Sequence, residues 1–223
     1  MLLGISYILL RSPYVQTALV KYVTQRVEQV TGVKMQIGGV EFRPMRSLVL
    51  NDVLLKDFKN DTLVFCENLK VKADSFSFVN RSFTVREMTF DKACFNLYVI
   101  RGDSGAVMNI EMFIDSLRGK QSAEAPANVS NEEEPGWLVG LRKVSVRNSR
   151  FTYREDEYEP VEYGVNWTDV DCRDLNVDVS EFHFGEDYTG MRVKGLSMVE
   201  KSGLVIRQLD GKVAARADNL LIT

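Results

Sequence analysis

From Val33 onward the hydrophobic pattern of the chain has a period of two, and pairs of residues repeatedly reset its phase. Val33, Met35 and Ile37 alternate with Lys34 and Gln36, then Gly38-Gly39 shifts the phase and Val40 and Phe42 resume it. Leu48 and Leu50 pass through Asn51-Asp52 to Val53 and Leu55, and Met88 and Phe90 pass through Asp91-Lys92 to Phe95, Leu97 and Val99. Side chains alternate across a strand, so a period of two marks one apolar and one polar face, and a two-residue reset marks a bulge or bend. The chain beyond residue 32 therefore reads as β.

The cleanest one-sided strands are Leu69, Val71 and Ala73 against Lys70, Lys72 and Asp74, and Leu175, Val177 and Val179 against Asn176 and Asp178. Leu141 to Tyr153 reads as two short strands, and further short strands are expected at Val165-Trp167, Phe182-Phe184, Met191-Met198, Leu204-Ile206, Val213-Ala217 and Leu220-Ile222. Turns fall at Asn60-Asp61, Asn80-Arg81 and Lys201-Ser202-Gly203. Asn109 is placed to cap a short helix over 109–118. Residues 119–136, ending in Glu132-Glu133-Glu134-Pro135-Gly136, have the composition of a flexible linker between β sections 33–118 and 137–223, the second continuing past the chain end.

The strands repeat. VREMTFDKACFNLY from Val85 lies over LRKVSVRNSRFTYR from Leu141, with Met88 on Val144, Phe90 on Val146, Ala93 on Ser149 and Phe95 on Phe151. LVLNDVLL from Leu48 and VKGLSMVEKSGLV from Val193 fit the same frame of strand, polar kink and strand. Such repetition is expected of an elongated sheet grown by adding hairpins, with a β-sandwich as the alternative.

The N-terminus is different. MLLGISYILL covers about 15 Å as a helix, half of a hydrocarbon core about 30 Å thick, and lacks the basic leader and small-residue cleavage site of a signal peptide. Residues 1–11 are expected to be part of a membrane anchor whose front lies outside this chain, the alternative being a buried N-terminal helix. Ser12-Pro13 starts and Gly32 stops an amphipathic helix over 12–32, with the serine side chain as cap. Its apolar sector holds Val15, Leu19, Tyr22, Val23, Val27 and Val30, with Arg26 inside it as a snorkelling cation for a lipid phosphate. This face either lies on a membrane or covers one end of a sheet.

Chemistry is sparse. The net charge is −3, and no basic stripe exists for nucleic acid. Cys66, Cys94 and Cys172 have no metal-type spacing; a Cys66 to Cys94 disulfide remains open. The only histidine, His183, has no triad partner by spacing and is expected at the surface, and the carboxylates between Glu155 and Glu162 form a solvated hairpin tip. Asn80, Asn128 and Asn166 begin N-x-S/T triplets, which matter only in a eukaryotic secretory pathway. No catalytic, metal or cofactor site is expected.

Several pieces in order resemble the N-terminal region of the TamB and AsmA-like bacterial envelope proteins, particularly the long TamB-type members of Bacteroidetes. They are the apolar anchor, SPYVQ at Ser12, TGVKMQIGGVEF at Thr31, SLVLNDVLLKD at Ser47, DTL at Asp61 and EKSG at Glu200. The resemblance implies an inner-membrane anchor facing the periplasm of a Gram-negative bacterium. It also implies an open β-groove with an apolar lining, and a role in outer-membrane protein assembly or phospholipid movement between membranes. The TamB-type C-terminal region is absent, so an outer-membrane assembly factor would be met only through parts outside this chain. The expected fold is then mainly β: an elongated, twisted antiparallel sheet of about ten to twelve strands, roughly 50 Å long, curled into a groove and preceded by the helices. Leu69, Val71, Ala73, Phe95, Leu97, Leu175, Val177 and Val179 are the expected lining.

Overall fold

A computed structural model describes residues 12–43, 47–77, 82–102, 105–111, 138–155, 160–184, 189–215 and 220–223. The first apolar run, the linker at 119–136 and the turn at Asn80-Arg81 lie outside them. Helix α1 (Pro13–Thr31) is followed by strands β1 (Met35–Arg43), β2 (Ser47–Lys56), β3 (Thr62–Ser77), β4 (Ser82–Gly102) and β5 (Gly105–Met108). Strands β6 (Leu138–Leu141), β7 (Lys143–Glu155), β8 (Asp169–Phe184), β9 (Thr189–Glu200), β10 (Val205–Ala215) and β11 (Leu220–Ile222) complete one 11-stranded sheet. Its path runs β1-β2-β3-β4-β7-β8-β9-β10-β11, with β5 and β6 both paired to β4. It is open, and among the described residues no second sheet packs against it, so the sandwich alternative fails.

The sheet is mixed, which corrects the antiparallel expectation. β4 pairs in parallel with β6 and β7, and every other pairing is antiparallel. Parallel neighbours need a connection of a dozen or more residues, and the stretch 109–137 supplies it. The two β sections are therefore halves of one sheet joined along β4. Leu141 to Tyr153 is not two strands: Leu141 ends β6, and Lys143–Glu155 is one strand. Residues 160–168 hold no strand at all, because Asn166 accepts hydrogen bonds on its Oδ1 from the Thr168 backbone (3.1 Å) and hydroxyl (2.7 Å) in a turn that feeds β8.

Six of the phase resets share a backbone cause. Asp52, Lys92, Asn148, Asp174, Glu181 and Gly195 have φ between 50° and 63°, the left-handed region. Each is the second of two polar-side residues standing between inward ones, and the left-handed turn restores the alternation after it. The resets align from strand to strand, Gly39 opposite Asn51, Asn51 opposite Asn68, Asn68 opposite Asp91 and Asp91 opposite Arg147, making a crease across the sheet. Gly38 gives Asp52 room beside it: a Cβ there would stand 3.0 Å from the Cβ of Asp52, which would have to shift by a few tenths of an ångström.

The hairpin turns repeat as well. Asp57 N bonds Asp61 O at 2.8 Å and Glu200 N bonds Leu204 O at 2.8 Å, while Asp57 Oδ1 accepts Lys59 N (2.9 Å) and Glu200 Oε2 accepts Ser202 N (2.7 Å). Both acids are buried. Asn60 (φ 67°) and Gly203 (φ 96°) occupy the same place in the two turns.

Ser12 does not cap α1 with its side chain; proline's fixed φ and the Ser12 carbonyl, which accepts Gln16 N at 3.1 Å, start the helix instead. Gly32, left-handed at φ 74°, ends it by donating to Glu28 O. Of the expected short helix, residues 109–111 are helical and 112–118 lie outside the described residues. Asn109 ties that turn to β4, accepting Tyr98 N at 3.2 Å and donating to Asn96 O at 3.0 Å. A carboxamide can imitate a strand's donor and acceptor, and here it does so.

Candidate functional site

Residues opposite one another on neighbouring strands share a face, so the register shows what each face is made of. One row crosses seven strands of the main path, Phe42, Leu48, Val71, Met88, Val144, Val179 and Val193, and ends opposite Gly211; Met191, Val213 and Ile222 continue the same face over β9, β10 and β11 one inward position further along. Beside it run Val40, Leu50, Leu69, Phe90, Val146 and Val177, and beyond the crease Leu55, Val64, Phe95, Phe151 and Cys172. All eight expected lining residues lie on this face: Leu69, Val71 and Ala73 on β3, Phe95 and Leu97 on β4, and Leu175, Val177 and Val179 on β8. Phe90 and Phe95 meet edge to face across the crease with ring centres 5.5 Å apart. Of the eight, Leu69 is buried at 9% exposure and the others are half-buried. Side-by-side packing within one layer covers their flanks and leaves their tips bare.

The opposite face is polar and held by ion pairs that step across strands. Lys70, Lys72, Asn176 and Asp178, expected to face water, lie there. Lys72 bonds Glu87 at 2.7 Å, Lys143 reaches both Glu87 (3.4 Å) and Asp178 (3.1 Å), and Arg147 closes on Asp178. The Lys72 ammonium holds the Glu87 carboxyl below its usual range, against the opposing effect of burial. At Asp178 burial pushes the pKa up, but hydrogen bonds from Arg147, Ser145 and Lys143 together leave it lowered. A sheet with one face stitched by charges and one face apolar can bury only the second against another apolar body.

Helix α1 packs on β1 and puts Val20 against the cluster of Ile37, Val40, Val53, Cys66, Leu69 and Ala93. Val15 and Tyr22, in the expected membrane-facing sector, are exposed at 36% and 67%. The side chains of Leu19, Val23, Arg26, Val27 and Val30 lie outside the described residues. No described helix is long and apolar enough to cross a membrane.

The disulfide between Cys66 and Cys94 is ruled out by register. Cys66 pairs with Ala93 on the apolar face and Cys94 with Phe65 on the polar one, so their Cβ vectors diverge, and all three cysteines are free. Burial pushes the Cys66 thiol up, and it donates to Asp91 O. His183 is exposed.

Two features went unseen in the sequence. Val20 belongs to the face of α1 that meets the sheet, a wider apolar arc than the sector drawn from periodicity alone. The second is a set of cations and carboxylates from β7, β8 and the 200–204 turn, which only the fold assembles on the polar face.

No family model matches the chain, and no curated protein matches it.

Proposed function

We propose that the chain is a membrane-anchored, non-enzymatic β-groove module of TamB/AsmA-like type, set on the inner membrane and facing the periplasm. It acts in outer-membrane biogenesis by carrying phospholipid acyl chains along its apolar face or by assisting assembly of outer-membrane proteins. What supports this is the apolar face that runs from Phe42 to Val193 in one row and on through Met191 and Val213 in the next, half-exposed and with no second sheet opposing it among the described residues. The eight strand spacings of the main path give roughly 40 Å of lined length, several times the width of an acyl chain. Each buried CH₂ contributes about 0.8 kcal/mol, so half-burying a chain of about sixteen carbons yields on the order of 6 kcal/mol without a headgroup site. Occupancy then follows apolar lining and not charge.

The experiment is site-specific photo-crosslinking in membranes. Crosslinkers at Val71, Leu97 and Val177 capture phospholipid, while those at Lys72 and Asp178, one pleat away, do not. Equal labelling of both sets, or none of either, refutes the groove. Capture of a polypeptide by the first set shifts the role to protein assembly.

A further inference from the structure

The parallel seam constrains where the connection from β5 to β6 can run. An L-residue in a strand, seen with its side chain toward the viewer and the chain running upward, points its own N–H and C=O to the right. On β4 the apolar-face residues point theirs at β6 and β7. Val85 O accepts Arg142 N at 3.1 Å, Ala93 N donates to Ser149 Oγ at 2.9 Å, and Phe95 O accepts Thr152 Oγ1 at 3.4 Å. Polar-face residues point the other way, Asn96 O and Tyr98 N both bonding Asn109 just after β5. Seen from the apolar face with β4 running up, β7 is therefore on the right and β5 on the left. A connection between parallel neighbours is right-handed in about 98% of cases, and a right-handed one passes in front of the face from which the second strand lies to the right. For β4 and its parallel partners that is the apolar face.

Reach agrees with handedness. Met108 stands opposite Val99 and Leu138 opposite Ser82, so the connection travels back along seventeen residues of β4, about 55 Å. Residues 109–137 wound as one helix would cover only about 44 Å. A helix over 109–118, about 15 Å, followed by about 63 Å of extended chain spans the distance with enough left to rise off the sheet and return. A path round the β1 edge adds about six strand spacings, roughly 29 Å, and exceeds that reach.

Composition agrees as well. The helical turn at 109–111 opens a stretch in which Ile110, Phe113, Ile114 and Leu117 recur at helical spacing, with Glu111, Asp115 and Arg118 between them. The polar face offers such a stripe only ion pairs. On the apolar face Phe95, Leu97 and Tyr153 are half-buried, beside the point where Asn109 is tethered to Asn96 and Tyr98.

We propose that residues 110–118 dock as an amphipathic helix on the apolar face over the β4–β7 seam, against Phe95, Leu97 and Tyr153, as the first part of a crossover that bridges this face. The docking does not depend on the rest of the face carrying lipid. Val71 and Val177 stand level with Met88 and Phe90, about 26 Å or more along β4 from the tether, beyond the end of a helix of about 15 Å.

The test places a photo-crosslinking amino acid in the full chain at Tyr153 and, as control, at Arg154, the next residue and on the opposite face, and sequences the captured peptides by mass spectrometry. Position 153 is expected to capture residues 110–118 within the monomer, position 154 is expected not to, and Phe113→Asp should abolish the capture. Capture at 154 instead of 153 puts the crossover on the polar face, capture between two chains makes the occupant a second copy, and capture of the segment at neither leaves the face bare; each overturns the proposal. Amide exchange needs no substitution in the sheet: residues 112–118 should be protected in the unmodified chain and exchange roughly tenfold faster or more in Phe113→Asp. Unprotected exchange before the substitution, or no change after it, refutes docking. At Leu97 the segment and an acyl chain compete, so lipid capture there should rise in Phe113→Asp while capture at Val71 and Val177 stays the same. Loss of lipid capture at Val71 and Val177 with the 153 crosslink intact sinks the groove alone, so the two failures are told apart.

Discussion

The left-handed residues of the crease carry a stability signature that depends on the side chain placed there. Asp174 is the cleanest place to read it: φ is 51°, the residue is exposed, and its carbonyl, which any substitution keeps, accepts Asn176 Nδ2 at 2.8 Å. An ordinary L-residue in this region is strained by about 1–2 kcal/mol, somewhat less for Asp and Asn, and glycine by almost nothing. Asp174→Gly relieves that strain but restores about 0.4–1 kcal/mol of unfolded-state entropy, so it should fall within about 1 kcal/mol of wild type. Asp174→Val adds β-branching where φ must stay positive and should lose about 1–2 kcal/mol, whereas Arg173→Val, one residue earlier and outside the left-handed region, should lose less than about 0.5 kcal/mol. Urea titration reads these as midpoint shifts at constant m. If valine at 174 is as stable as aspartate, or glycine as harmful as valine, the left-handed turn is not what resets the strand. The consequence for the site is direct: without the turn the period-two rule would send Leu175, Val177 and Val179 to the polar face.

Other outcomes follow from the same packing. Leu69→Ala, at a buried position of the central cluster, should cost about 2–5 kcal/mol, and Leu97→Ala, half-buried, clearly less; equal losses would mean the face is covered uniformly. Val20→Asp should release α1 from the sheet, seen as faster amide exchange over residues 35–43 with the far strands unchanged. Glu87, Asp169 and Asp171 all have lowered folded-state pKa values, so their stabilisation is full above the unfolded carboxylate pKa and is lost as pH falls through the folded values. The urea midpoint should therefore be flat from pH 7 to about 5 and fall below about pH 4; a midpoint that rises on acidification refutes the ion-pair ladder. Oxidation of the native chain should form no bond between Cys66 and Cys94, and a mass two hydrogens lighter with that peptide pair would refute the register of β3 and β4.

The face assignment was legible because it depends only on period two and its resets, both local properties of the chain. Lys70 and Lys72 could not share a face with Leu69 and Val71 in any strand pairing. Strand direction was not local. The same alternation serves parallel and antiparallel neighbours, and the charged linker composition of 119–136 says nothing about where the chain re-enters the sheet. Nor was the set of ion pairs on the polar face: Arg150, Asp169 and Lys201 are separated along the chain and each looks like ordinary solvated-face charge until β7, β8 and the 200–204 turn are adjacent.

Yet the parallel seam had left its trace. Met88 on Val144, Phe90 on Val146 and Phe95 on Phe151, the superposition that defines the internal repeat, are the residue pairs that face one another across β4 and β7. Parallel strands in register set like beside like, so two copies of one unit laid side by side put kink beside kink: Lys92 and Asn148 are both left-handed, at φ 54° and 50°. An antiparallel pairing of the same two copies would run their residue order in opposite senses, and Met88 could not face Val144 while Phe95 faced Phe151. The repeat and the parallel register are thus one physical fact seen twice. It also explains how the crease stays straight at the point where strand direction breaks the hairpin rule. Asp91 faces Arg147 there, and Asn148 Nδ2 reaches Asp91 Oδ1 at 3.2 Å, binding the two kinks to each other as the apolar rows pass through the seam.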